Sequence, residues 1–389
     1  VAAGLVTPDI RLEPYRIRDE RRVLTPALVV YPDLVDSNVR ATLRLLEGSA
    51  GRWRPHVKTA KLECIMRRLV QAGVPHFKCA TTLELAAVCR AGARDVLFAY
   101  PAQGANAARV LELAREFSGV RISALVDSET AVQQWKGGAA GLFVDVNPGM
   151  NRTGADPLQT GQVLRLVRAI RAAGLEFRGL HFYDGHLGNL ALADRTLAAH
   201  RGYDHLMALV ASLEEAGEAV PEVITAGTPA LPCSLSYAGF IGAKFVHRVS
   251  PGTVVYGDAT SLAQLPAEYG YKPAVLVLAR VVSHPKPNIV TCDAGHKAVS
   301  ADAGVPTCAV VGRPDLVPRG PSEEHLPIEI PVGVPVPALA EFLYLLPRHV
   351  CPTVNNFDEA LIVRDGRIEQ VERVTARGHE SPLPVPVSA

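Results

Sequence analysis

From about residue 26 to about residue 265 the chain alternates short apolar runs with helical patterns, and this alternation constrains its fold more than any other feature. Strands separated by helices cannot pair as hairpins; they lie parallel, joined by crossovers. Strands are expected near Trp53 to Lys58, His76 to Ala80, Val96 to Ala99, Ile122 to Val126 and Leu142 to Asn147, then Phe177 to Phe182, Val223 to Ala226 and Phe245 to Val249. With helices such as Leu62 to Gln71 and Leu158 to Ala172 between them, that is the strand count of an α/β fold of the (β/α)8 TIM-barrel type. After about Tyr271 the pattern turns β-rich, near Ala274 to Ser283, Asn288 to Asp293, Phe342 to Leu346 and Ala360 to Val363, and reads as a smaller C-terminal β domain. The expected organisation is a segment 1–25 joining the β domain, a barrel over 26–268, the β domain over 269–381, and a disordered Pro-rich tail over 382–389.

A chain of 389 residues with 48% hydrophobic and 20% charged side chains has ample material for two cores. Forty basic and 39 acidic groups give a net charge of +1, with no electrostatic footprint for nucleic acid or an anionic membrane, so a small molecule is the expected partner. The seven cysteines are scattered and odd in number, unlike a disulfide framework, which points to a reducing compartment. No leader-like or membrane-spanning run stands out, and a cytoplasmic protein is expected.

Lys58 lies at the end of the first expected strand, in Arg54-Pro55-His56-Val57-Lys58-Thr59, where a barrel points side chains into its mouth. Desolvation there lowers a lysine's proton affinity and frees its amine for a Schiff base. A lone strand-end lysine is ordinarily a solvated one, so companions at other strand ends decide. They include Gly149-Met150-Asn151-Arg152-Thr153-Gly154 after the fifth strand. Two Gly-Thr turns follow strands seven and eight, at Gly227-Thr228 and Gly252-Thr253, the usual place for a phosphate cradle. His181 and His186 flank the end of the sixth strand, and the turn around His186 suits a base near neutral pH. In the β domain His349 and Cys351 would share one side of an extended segment and could hold one cation at an open site.

Three segments, Arg-Pro-His-Val-Lys-Thr, Gly-Met-Asn-Arg-Thr-Gly and Ser250-Pro251-Gly252-Thr253-Val254-Val255-Tyr256-Gly257, together resemble the fold-type III pyridoxal-phosphate enzymes, the class of alanine racemase. The resemblance implies pyridoxal 5′-phosphate on Lys58, Arg152 beside its phenolic oxygen, His181 against its ring, and Tyr183, Gly227, Thr228, Gly252 and Thr253 among the cofactor residues. Ser250 departs from the racemase pattern, which has an arginine near the pyridine nitrogen. Leu180 to Leu187 resembles a segment of D-threonine aldolases, and Pro347 to Asn355 resembles the metal segment of D-threonine aldolases and D-serine dehydratases. Asp293 to Ser300 and Ser322 to His325 resemble the same subgroup, with Glu324 or His325 as possible support for the metal shell or the β domain.

What the resemblance implies is a lyase cleaving D-β-hydroxy-α-amino acids to glycine and an aldehyde, with His186 as the hydroxyl-side base. A Zn, Mn or Mg ion would sit on His349 and Cys351. The alternative is a D-serine or 3-hydroxy-D-aspartate dehydratase, which Cys351 suits; an amino-acid racemase and a non-enzymatic cofactor-binding protein are the remaining rivals. A homodimer is the implied assembly.

Overall fold

The computed structural model describes residues 10–383, which form two compact units: 46–58, 66–252 and 378–383 in one, and 10–45, 59–65 and 253–377 in the other. In chain order the strands are β1 (Ala27–Val30), β2 (His76–Cys79), β3 (Asp95–Phe98), β4 (Arg121–Val126), β5 (Gly141–Val146), β6 (Phe177–Phe182), β7 (Glu222–Thr225), β8 (Val246–Val249), β9 (Val275–Lys286), β10 (Ile289–Cys292), β11 (Cys308–Val310), β12 (Val317–Pro318), β13 (Leu326–Glu329), β14 (Phe342–Pro347), β15 (Glu359–Arg364) and β16 (Arg367–Arg373).

Strands β2 to β8 form the first unit's parallel sheet in sequential order. Every residue of β5 and β6 is buried, which is why these strands read as near-continuous apolar runs rather than alternating ones. All seven begin within one residue of their predicted starts. The expected first strand does not form as such. Trp53 bridges Val249 and His56 bridges Lys78, and residues 57–60 turn. The segment nevertheless bonds both edges of the sheet: Arg54 N donates to Val249 O at 2.9 Å, and Lys78 N to Pro55 O at 2.9 Å. It closes the barrel as an irregular eighth stave. Pro55 has no N–H to give to a regular ladder, and apolar patterning does not register that loss.

At the strands' N-terminal ends the barrel buries ions. Arg54, fully buried, meets Asp95 at 2.7 Å and Glu222 at 3.0 Å, while Arg178 meets Asp95 at 2.6 Å. Both guanidiniums lie over the Phe143 ring, at 5.8 and 5.4 Å from its centroid.

The second unit is a nine-stranded mixed sheet in which β1 pairs antiparallel with β9 and parallel with β15. This moves the expected boundary at residue 26: Ala27–Val30 belongs to the β unit's sheet, as do residues 59–65 and 253–268 to that unit. A buried apolar run shows that a strand forms, not which sheet it joins. Val29, Leu276, Leu278, Tyr344 and Leu346 build the core, joined by Tyr15, Ile17 and Val23 from the N-terminal segment. Each fully buried aliphatic side chain there contributes roughly 1.5–3 kcal/mol. The expected tail at 382–389 lies, from residue 384 on, outside the described residues. Among the described residues no helix is long and apolar enough to cross a membrane, and none of the seven cysteines is in a disulfide.

Candidate active site

Side chains from five places in the barrel meet at the C-terminal ends of its strands. Asp145 and His181 stand directly opposite each other in the β5–β6 register, and the carboxylate takes the ring's Nδ1–H at 2.7 Å. Asp145 also accepts from Thr153 at 2.7 Å. His181 Nε2 lies 3.3 Å from Lys78 Nζ, which donates to Ser250 Oγ at 2.7 Å. Burial and the neighbouring Lys78 cation lower the His181 pKa against the pull of Asp145, so the ring is neutral with its proton on Nδ1. Lys78 is placed by β2 and by the helix that follows it. Thr81 caps that helix by accepting from Glu84 N at 3.0 Å, while the Glu84 carboxylate accepts from Ala80 N at 2.8 Å.

Lys58, half-buried, follows the irregular stave, its N–H donating to His56 Nδ1 at 3.2 Å. A second amine at the mouth, Lys78, is 2% exposed, and burial and then the Lys58 charge push its pKa down to about 7. Its signal in the sequence is a lysine between Phe77 and Cys79, inside a strand.

Lys78 makes stability depend on pH. Its folded pKa of about 7 lies below the unfolded 10.5, so between those values the unfolded chain binds a proton that the folded chain does not. Stability therefore rises with pH in that window, by up to ~1.4 kcal/mol per unit. Urea unfolding at pH 7 and pH 9 is expected to show this gain in the wild type and its loss in Lys78→Met. Equal trends in both proteins would mean that Lys78 keeps its proton on folding.

Tyr183 fills the next part of the mouth. The exposed Arg152 guanidinium lies 4.9 Å from its ring centroid and Lys78 Nζ 5.3 Å. A Cβ on Gly227 would come within 2.7 Å of the Tyr183 ring, and one on Gly252 within 2.5 Å of His56 O, so neither turn can carry a side chain. Gly227 N points at Asp184 Oδ1 at 3.3 Å, and the same carboxyl accepts from Tyr203 at 2.5 Å. Burial raises the Asp184 pKa to about 6 against these bonds. Thr228 is buried beside Gly227. His186 is half-buried in the 3-10 turn Gly185–Asn189; its Nδ1 is buried and has no hydrogen-bond partner among the described residues, and burial lowers its pKa.

In the β unit His349 is the N-cap of the helix Val350–Asn355, so Cys351 sits in that helix's first turn and not on an extended segment. Asp258 produces this geometry by accepting from Val350 N at 2.9 Å. The two side chains still meet. The His349 pKa is raised to about 9, burial opposing while Cys351 and then Asp302 favour the cation. Thr59 Oγ1 and Thr253 Oγ1 lie 3.0 and 3.7 Å from Cys351 Sγ, which places Thr253 at the thiol. Glu324 is bound to Lys297 at 3.0 Å, and the carboxylate on His349 is that of Asp302, 2.6 Å away. Nothing in the spacing of the Asp293 to Ser300 segment pointed to Asp302. Among the described residues no group of three or more His, Cys, Asp or Glu side chains could hold a metal ion.

A parallel barrel with a neutral imidazole and two amines at its strand ends, followed by a mixed-sheet unit, defines an enzyme of the alanine-racemase-like class. The alanine racemase N-terminal domain family matches residues 30–260, and the putative serine dehydratase domain matches 274–363. The chain belongs to the alanine racemase N-terminal domain family. It is similar to D-threonine aldolase of Arthrobacter sp., 29% identical over 92% of this chain and 93% of that one. It is also similar to D-threo-3-hydroxyaspartate dehydratase of Delftia sp. strain HT23, 25% identical over 90% of this chain and 97% of that one. The crystal structure of D-threonine aldolase from Filomicrobium marinum superposes with a TM-score of 0.83 at 27% identity, covering 92% of this chain and 96% of that one. The chain is thus an enzyme of a family of pyridoxal-phosphate-dependent lyases.

Proposed function

We propose that this enzyme uses pyridoxal 5′-phosphate and a divalent cation to cleave D-β-hydroxy-α-amino acids into glycine and an aldehyde, as a D-threonine aldolase does. The observation that carries the reading is the convergence of Lys58, neutral His181 and Arg152 at the mouth of one barrel beside two turns that exclude side chains. This donor set fits a phosphorylated aromatic aldehyde. Lys58 offers the amine, His181 an uncharged ring to lie against, Arg152 a cation for a phenolic oxygen, and Gly227, Thr228 and Gly252 close backbone approach. Once bound, the cofactor withdraws electron density from the substrate's α carbon. A nitrogen and a sulfur donor fit zinc best, and such a cation lowers the proton affinity of a β-hydroxyl.

The protein's own part is proton management. His186, whose pKa burial lowers so that the ring is free to accept, takes the β-hydroxyl proton. The bond between the α and β carbons then breaks, the aldehyde leaves, and a proton returned to the α carbon gives glycine. Asp145 keeps the His181 proton on Nδ1, so His181 would offer the cofactor an uncharged imidazole. D stereochemistry rests on the named relatives alone.

Cys351 favours a second reading, a dehydratase, because the His-x-Cys pair resembles that of D-serine and 3-hydroxyaspartate dehydratases. There Lys58 removes the α proton, the hydroxyl leaves, and hydrolysis yields a keto acid and ammonia. The full chain supplied with pyridoxal phosphate and zinc or manganese is expected to turn D-threonine into acetaldehyde and glycine. Formation of 2-oxobutyrate and ammonia would replace this reading with the second, and interconversion of alanine enantiomers with neither lyase product would replace both with a racemase.

A further inference from the structure

We propose that Asp302 is a positioning residue for the cation site, holding the Nδ1–H of His349 so that Nε2 is the nitrogen left for the metal. The inference rests on the reading of His349 and Cys351 as metal ligands, and names a residue that reading does not contain.

The geometry is a closed ring of hydrogen bonds. His349 Nδ1 lies 2.6 Å from Asp302 Oδ2. A carboxylate only accepts, so the ring nitrogen facing it carries the proton. The other carboxylate oxygen, Oδ1, accepts from Ser300 Oγ at 2.9 Å, and Ser300 Oγ accepts in turn from Asp302 N at 3.4 Å. Ser300 N donates to Thr353 Oγ1 at 3.2 Å, and Thr353 Oγ1 donates to His349 O at 2.8 Å, which returns to the starting residue. The ring ties the segment Ser300 to Asp302 to the first turn of the helix Val350–Asn355, whose start Asp258 fixes independently through Val350 N. His349 is therefore held at its carbonyl and at one ring nitrogen at once.

Such a hold matters most where ligands are few. Two protein ligands give little geometric redundancy, so the orientation and basicity of the imidazole bear directly on affinity. A carboxylate behind a metal-bound histidine supplies both, and losing it typically costs 10–100-fold in affinity. Asp302 is about half exposed, so its removal opens no buried cavity and leaves the sheet core untouched.

The test is zinc affinity of the full chain, by competition with a chromophoric chelator, for wild type, Asp302→Ala, Asp302→Asn, His349→Ala and Cys351→Ala. Cobalt substitution adds a spectroscopic readout, the intensity and position of the thiolate and ligand-field bands. Asp302→Ala is expected to weaken zinc about 10–100-fold and to shift the cobalt bands. Asp302→Asn retains an oxygen acceptor, so it should lie between alanine and wild type and keeps the test interpretable if the alanine variant folds poorly. Binding within twofold of wild type in both Asp302 variants, with an unchanged cobalt spectrum, would overturn the role of Asp302 while leaving the ligands in place. Unchanged zinc binding in His349→Ala and Cys351→Ala would instead remove the site itself.

Discussion

Lys58→Ala is expected to lose the absorbance band that marks covalent attachment of pyridoxal phosphate, together with at least about 10³-fold of activity, since the amine and its placement supply an effective concentration far above any free amine. The barrel mouth contains two candidates, and solvent access separates them. Lys78 is 2% exposed and already engages His181 and Ser250, so an entering aldehyde would have to break both contacts. Lys58 is half-buried and sits at the turn that leaves the irregular stave, within reach of a ligand from the mouth. Borohydride reduction of the cofactor-loaded protein followed by peptide mapping is expected to find the label on the peptide containing Lys58. A label on the peptide containing Lys78 would transfer the attachment role to that residue, and Lys58→Ala would then keep its band.

The two lysines also mark where sequence reasoning works and where it stops. Seven barrel strands were legible because buried parallel strands in an α/β fold are apolar runs of the right length between helical patterns. Trp53 to Lys58 was expected to be an eighth, yet Pro55 and the turn at 57–60 make it two bridges rather than a strand. Lys58 and Arg152 could be singled out because each lies in a distinctive short segment. Lys78, Asp145 and Asp302 were not, because their roles come from register and from loop closure. Asp145 faces His181 through the β5–β6 pairing, Lys78 reaches Ser250 across the barrel interior, and Asp302 meets His349 over 47 positions of chain. Local spacing carries no record of such meetings. The expected alternation at His349 and Cys351 illustrates the converse: the two side chains meet, but through a helix N-terminus that Asp258 caps from elsewhere in the chain.

The largest stability effect is expected at the opposite end of the barrel, in Asp95→Ala. Asp95 is the carboxylate shared by Arg54 and Arg178, and all three are nearly or fully buried. Removing it leaves Glu222 to balance Arg54, with Arg248 also against Glu222 at 3.0 Å, and leaves Arg178 with Ser123, the Phe143 face and the half-exposed Glu176 carboxylate at 3.9 Å. Breaking a buried pair from one side costs roughly 3–5 kcal/mol, because the remaining charge keeps its desolvation penalty. The comparison also has a pH signature. Burial alone would raise the Asp95 pKa, but His76 at 3.6 Å, Arg54 and Arg178 hold it far below the ordinary 3.8. A carboxyl depressed in the folded state contributes stability that is complete above its unfolded pKa and is lost as pH falls towards the folded one. Denaturant unfolding should therefore show the full gap between wild type and Asp95→Asn at pH 7, and a gap that narrows below about pH 4. Arginines well paired by Glu222 alone would give Asp95→Asn wild-type stability at pH 7, and the barrel floor would then owe its cohesion to the apolar layer above it, where Leu97, Leu125, Phe143 and Ile224 pack.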